Sequence, residues 1–193
     1  MGQQNTKLKQ EDIQELFNCT HFSKSEIQDW YKNFMKKCPK GMITLKQITE
    51  MYSEYFEGDA QEFACHVFRA FDDDGNGVID FREFLSSLSI TSRGTLEEKL
   101  DWAFSIYDID GDGGISKEEM TKIILSIQKM YGDSLKEKEP PLRRTERIFH
   151  QFDTNNDGVL SLSEFKDGAR SDPYLVMILQ YKPPRHRDFF QKS

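Results

Sequence analysis

Three twelve-residue windows, starting at Asp72, Asp108 and Asp153, carry oxygen-bearing side chains at a repeated spacing around a fixed glycine. They read DDDGNGVIDFRE, DIDGDGGISKEE and DTNNDGVLSLSE, with Asp first, Asp or Asn third, Asn or Asp fifth, Gly sixth and Glu twelfth. The chemistry this suits is the capture of a hard divalent cation, which demands six to eight oxygens at roughly 2.3–2.6 Å from a short wrapping loop. All three windows satisfy the full calcium-loop pattern. Side-chain oxygens come from Asp72, Asp74 and Asn76, from Asp108, Asp110 and Asp112, and from Asp153, Asn155 and Asp157. The seventh position needs only a backbone carbonyl, so Val78, Gly114 and Val159 can serve there. Glu83, Glu119 and Glu164 close each cage, since a glutamate at position twelve has the reach to give two oxygens at once. Position nine, held by Asp80, Ser116 or Ser161, reaches the ion directly or through a water.

Such loops must be held between helices, and the flanks supply them. Phe63, Val67, Phe68 and Phe71 recur at helical spacing before the first window, and Phe84, Leu85 and Leu88 follow it. Leu100, Ala103, Phe104 and Tyr107 lead into the second window, and Met120, Ile123, Ile124 and Ile127 lead out. Ile148, Phe149 and Phe152 precede the third, with Phe165 after it. Position eight is Ile79, Ile115 or Leu160, a residue suited to a short strand against a neighbouring loop. Such loops pair, so three imply a fourth. Counting back from Asp72 by the 36 residues that separate Asp72 from Asp108 gives KKCPKGMITLKQ, which keeps Gly41 and Ile43. Lys36, Cys38 and Lys40 stand where oxygens belong, and Gln47 replaces the closing glutamate. Ammonium groups repel a cation, so this loop is expected to keep the fold and lose the metal.

Composition narrows the alternatives. With 33 acidic against 26 basic side chains, a formal net charge of −7 disfavours nucleic acid as a partner. Cys19, Cys38 and Cys65 form no CxxC pair, so neither a disulfide framework nor a zinc site is indicated, and a reducing compartment fits. MGQQNTKLKQ at the start lacks the apolar core of a signal peptide, and no apolar run is long enough to span a bilayer. His21, His66, His150 and His186 show no catalytic or ligand spacing, and the carboxylates are explained by cation ligation, so an enzyme is not expected. Met1, Gly2 and Thr6 match the acceptor pattern for N-terminal myristoylation at Gly2.

The chain resembles the neuronal calcium sensor family of visinin-like, neurocalcin, hippocalcin, frequenin and recoverin proteins. The marks are MGQQNTKL, the pair Trp30 and Tyr31, the altered loop with Cys38, Pro39 and Gly41, the run from Thr91 to Leu96, and WAFSIYDIDGDG from Trp102. An intact fourth loop is more similar to the visinin-like, neurocalcin or frequenin branches than to recoverin.

The expected fold is all-α, with four EF-hands in two pairs joined by a short hinge and the first hand degenerate. Expected boundaries are a lipidated arm over 1–21, an N-terminal pair over 22–91, a hinge at 92–95, a C-terminal pair over 96–172, and a C-terminal helix and tail over 173–193. A charged connector with Pro140 and Pro141 is expected from Lys136 to Arg144. The resemblance implies a myristoylated sensor of three calcium ions, with magnesium substituting when calcium is low. It implies a cytoplasmic neuronal protein that joins membranes peripherally in calcium. It also implies an apolar groove for the acyl chain or for an amphipathic helix of a receptor, kinase or cyclase, with Trp30, Phe34, Ile48, Tyr52, Phe56, Phe68, Phe84 and Leu88 as its lining. The stretch from Tyr174 to Leu179 is a candidate cover for that groove, and Phe189 and Phe190 a candidate docking element. A homodimer through the grooves, a regulatory subunit of a membrane guanylate cyclase and a plain calcium buffer are further options.

Overall fold

A computed structural model describes residues 8–134, 139–172 and 175. Gly2 and the C-terminal stretch from 176 onward, with Phe189 and Phe190, lie outside the described residues. The helices are α1 Gln10–Cys19, α2 Lys24–Lys37, α3 Leu45–Tyr55, α4 Gln61–Phe71, α5 Phe81–Arg93, α6 Leu96–Tyr107, α7 Lys117–Tyr131, α8 Pro141–Phe152 and α9 Leu162–Ala169. Four short strands lie between them: β1 Met42–Ile43, β2 Ile79–Asp80, β3 Gly114–Ser116 and β4 Val159–Ser161. Antiparallel pairing of β1 with β2 sets Ile43 opposite Ile79, and pairing of β3 with β4 sets Ile115 opposite Leu160. Four hands in two pairs are thereby formed, each pair tied by the residues at position eight of its loops.

One local device starts most of the helices. Ser23 with Glu26, Thr44 with Gln47, Asp80 with Glu83, Thr95 with Glu98, Ser116 with Glu119 and Ser161 with Glu164 each form a reciprocal capping box. Each box satisfies two backbone N–H groups that a helix start leaves without internal partners. In every hand the box falls on positions nine and twelve of the loop, so the closing residue also founds the exiting helix.

In the core, Phe34 packs on Phe81 and Phe84 with ring centroids 5.3 and 5.4 Å apart, and Phe165 packs on Phe104 and Tyr107 at 5.7 and 5.3 Å. Burial of such rings supplies much of the apolar area that holds each pair together. A single buried cluster runs through both pairs, because α4 packs on α6 and α7.

Three expectations about local structure are corrected. The arm over 1–21 contains α1, whose Ile13 and Leu16 are buried against α2 and α5. The hinge is shorter than 92–95: Ser92 and Arg93 finish α5 and Thr95 caps α6, which leaves Gly94 as the joint. The connector from Lys136 gives way to helix at Pro141, where a fixed φ and a missing N–H cost nothing in the first turn of α8. Of the stretch at 174–179 only Leu175 is described, and it is buried.

Candidate metal centres

Each entering helix ends on the first residue of a loop. Asp72, Asp108 and Asp153 are the C-caps of α4, α6 and α8, and their N–H groups donate to Phe68, Phe104 and Phe149. Their side chains then fold the loop. Asp72 accepts from the Asn76 and Gly77 N–H groups at 3.0 and 2.9 Å, and Asp153 from those of Asp157 and Gly158 at 3.2 and 3.0 Å. Asp108 accepts from Gly111 and Gly113 at 2.9 and 3.1 Å. The sixth residues Gly77, Gly113 and Gly158 have φ of +85°, +92° and +85°, a region that a side chain at Cβ disfavours.

Glutamates twelve reach back across the loops. Glu83 Oε1 accepts from the Asp73 and Asp74 N–H groups at 3.0 and 3.3 Å, while Oε2 accepts from Asp80 at 2.8 Å. Glu119 repeats this with Ile109 and Asp110 at 2.7 and 3.2 Å and with the Ser116 N–H at 2.8 Å. Burial pushes the Glu119 carboxyl up, but the combined hydrogen bonds from Ser116, Ile109 and Asp110 outweigh it and hold the group below the usual carboxylate range. Glu164 is held at about 2, by the Thr154 hydroxyl first and then by the Ser161 hydroxyl and N–H. Closing residues kept ionised suit a cation.

Ligand-bearing oxygens of Asp72, Asp74 and Glu83 lie within 4.8 Å of one another, and so do those of Asp108, Asp110 and Glu119. Asn76 and Asp112 join the same loops by accepting from the Val78 and Gly114 N–H groups at 3.0 and 2.9 Å. These hard-oxygen sets fit a calcium-sized ion. In the loop at 153–164 the corresponding positions are Asp153, Asn155 and Glu164, two acids and an amide. Asn155 replaces an acid there, and the Thr154 hydroxyl holds Glu164 Oε1 at 2.7 Å. The position-seven residues Val78, Gly114 and Val159 border or begin the paired strands. Gly114 also has a packing reason: a Cβ there would lie 2.3 Å from Val159 Cγ1 of the facing strand.

The degenerate loop has a different shape. Helix α2 runs through Lys36 to Lys37 with Cys38 as its cap, so the position that should open the cage is still helical. Gly41 keeps a φ of +74°, and Thr44 with Gln47 keeps the box. The hand is retained without the donors.

Two features escaped the reading of the sequence. Position four also adopts the left-handed region, at Gly75, Gly111 and Asn156 with φ of +67°, +74° and +58°. The double use of positions nine and twelve was also missed, although their three-residue separation is the spacing of a capping box. Of the expected groove residues, Trp30, Phe34, Ile48, Tyr52, Phe68, Phe84 and Leu88 are buried, at 7% exposure or less, and Phe56 is half-buried. In this structure they form core between the helices rather than an open channel.

Comparison with known proteins agrees with the geometry. Models of an EF-hand domain pair match residues 46–91 and 97–170. Neuronal calcium sensor 1 of Lymnaea stagnalis is 44% identical over 183 residues, covering 93% of this chain and 96% of that protein. Recoverin of Homo sapiens is 36% identical over 187 residues, with 94% of each covered. S-modulin of Aquarana catesbeiana is 37% identical over 193 residues, covering 95% of this chain and 96% of that protein.

Proposed function

The chain belongs to the neuronal calcium sensor and recoverin family of EF-hand proteins, and on that premise we propose that it senses calcium at three loops and answers by exposing apolar surface at a membrane. The observation that carries this reading is the placement of two acid clusters, Asp72 with Asp74 and Glu83, and Asp108 with Asp110 and Glu119, between the ends of paired helices. Bound calcium would supply a double positive charge and a demand for six to eight oxygens, which the third loop around Asp153, Asn155, Asp157 and Glu164 is also built to meet. Magnesium, with its stricter octahedral demand, is the competitor at low calcium.

The residues of the chain make the response directional. First ligands Asp72, Asp108 and Asp153 end the entering helices, and Glu83, Glu119 and Glu164 lie in the first turns of α5, α7 and α9. A shift of a closing carboxylate is therefore a shift of its exiting helix. Movement of α5 would uncover Phe84 and Leu88, and with them Trp30 and Phe34 of α2, a groove for an amphipathic target helix. Three doubly charged ions would also move the formal net charge from −7 to about −1, easing approach to an anionic leaflet. Acylation at Gly2 would supply the anchor, since one myristoyl chain gives only marginal, reversible binding.

Co-sedimentation of myristoylated protein with anionic vesicles tests the reading. Calcium should drive binding, chelator should reverse it, and Gly2→Ala should abolish it. Equal binding in both ion states would defeat the membrane response. The near-complete burial of Phe34 and Phe84 also favours a second reading, a buffer that binds calcium without opening. An apolar dye separates the two, because a buffer gains no emission on calcium addition.

A further inference from the structure

Arg69 reaches from one pair of hands into the other. It lies in the last turn of α4, three residues before Asp72, and is half-buried. Its Nη2 donates to the Ser105 carbonyl at 3.0 Å and to the Ile106 carbonyl at 2.7 Å. Both carbonyls belong to the last turn of α6, just ahead of Asp108. A helix leaves its final carbonyls without internal partners, and their aligned dipoles attract a cation. The Phe104 carbonyl is taken by the Asp108 N–H, and Arg69 takes the two that follow. Beside it, Phe71 of α4 meets Trp102 of α6 edge-on, with ring centroids 6.3 Å apart. The carboxylates of Asp108, Glu119 and Asp110 act on the same guanidinium through space.

The ends of α4 and α6 that present the first ligands of two different loops are thus fastened by one side chain. Resting on the reading that both loops take up calcium, we propose that Arg69 is the positioning residue that couples the loop at 72–83 to the loop at 108–119 across the two pairs. Displacement of α4 on filling of one loop pulls on the end of α6 and pre-sets the Asp108 side of the other. Coupling between sites is reciprocal, so filling either loop strengthens the other. One guanidinium nitrogen, Nη2, donates to both carbonyls, and the planar group fixes the direction of its N–H bonds where an ammonium would rotate.

The test is a cycle in the full-length chain carrying Glu164→Gln, which isolates the two loops in question. Calorimetry with calcium chloride gives the affinity at 72–83 with and without Glu119→Gln. With Arg69 in place, Glu119→Gln should weaken that affinity by about fivefold or more, the low end of typical coupling. In Arg69→Met the same substitution should change it by less than about twofold. In a Trp30→Phe background, which removes the other tryptophan, Trp102 emission should follow uptake at 72–83 in the Arg69 protein and lose that response in Arg69→Met. A mere structural staple would lower the melting temperature and leave the coupling factor intact, which would overturn the proposal. Arg69→Gln stays polar but ends two atoms short of the carbonyls, and decides the matter in the same way if Arg69→Met does not fold. Absence of any heat in the Arg69 parent would defeat the calcium reading itself, whereas heat with an unchanged factor defeats the coupling alone.

Discussion

The Gly58 N–H donates to the Met130 carbonyl at 3.2 Å, joining the turn between α3 and α4 to the end of α7 in the opposite pair of hands. Around this contact Phe56 meets Tyr131 edge-on at 5.4 Å, and Lys129 pairs with Glu62 at 2.9 Å. Helix α4 is therefore held by the C-terminal pair at both of its ends, here and at Arg69.

A side chain at this approach would meet backbone. A Cβ on Gly58 would lie 2.1 Å from the Lys129 carbonyl oxygen and 2.6 Å from that of Met130, and backbone cannot swing aside as a flexible side chain does. Gly58→Ala is expected to cost about 1–3 kcal/mol, the usual penalty for overpacking. Urea denaturation measures it, and an unchanged midpoint would show that the two pairs part freely.

Glutamates at position twelve perform two tasks, which glutamine separates. In the degenerate hand Gln47 already caps α3, accepting the Thr44 N–H at 2.9 Å through its amide oxygen. Glu83→Gln, Glu119→Gln and Glu164→Gln should therefore keep the helix starts and alter stability without calcium by less than about 1 kcal/mol, the worth of a cap. Each should nevertheless remove one ion from the stoichiometry read by calorimetry, since a neutral amide gives a single weak donor in place of a bidentate carboxylate. Retention of all three ions in any of the variants would remove that loop from the sensor.

The loops and the pairing of hands were legible because their determinants are local. Twelve consecutive residues contain the donors, the turn glycine and the strand residue, and Gly41 with Ile43 preserves the register even where the donors are lost. Helix α1 was not legible: it buries only Ile13 and Leu16, and its N-cap Lys9 makes no side-chain capping bond. Pro140 and Pro141 suggested a break where Pro141 opens a helix. Gly58 and Arg69 gave no signal at all, because their partners, Met130 and Ile106, are distant in sequence and the contacts are with backbone.

Acid should loosen the clasp between α2 and α5. Glu26 is held at about 2, first by the Arg93 guanidinium and then by the Ser23 N–H and hydroxyl. Arg93 also donates to the His21 carbonyl at 3.0 Å and lies over the Phe22 ring at 4.5 Å, so the pair links both ends of the first hand's neighbourhood. A carboxyl whose value is lowered on folding stabilises fully above its unfolded value near 4.5, and the contribution fades as pH falls toward about 2. Glu26 is 39% exposed, so solvent screening reduces the effect to about 1 kcal/mol. Glu26→Gln should flatten the acid limb of the stability profile by that amount while leaving neutral-pH calcium uptake unchanged. An identical acid limb in the variant would place the loss elsewhere.

Charge count should rank the three loops. The loop at 72–83 offers Asp72, Asp74, Asp80 and Glu83, and the loop at 108–119 offers Asp108, Asp110, Asp112 and Glu119, whereas the last offers only Asp153, Asp157 and Glu164. Asn155 Nδ2 donates to Asp157 Oδ2 at 2.8 Å, a bond that relieves crowding of acids in the absence of an ion. Asn155→Asp replaces that bond with repulsion between two carboxylates, so the calcium-free protein should melt at a lower temperature. The added charge should also raise calcium affinity at this loop by about one order of magnitude, because ligand charge is a main determinant of affinity in such loops. Opposite signs in the two ion states are the signature of a ligand position. A variant that lowers the melting temperature equally with and without calcium would show that residue 155 shapes the turn and does not face the ion.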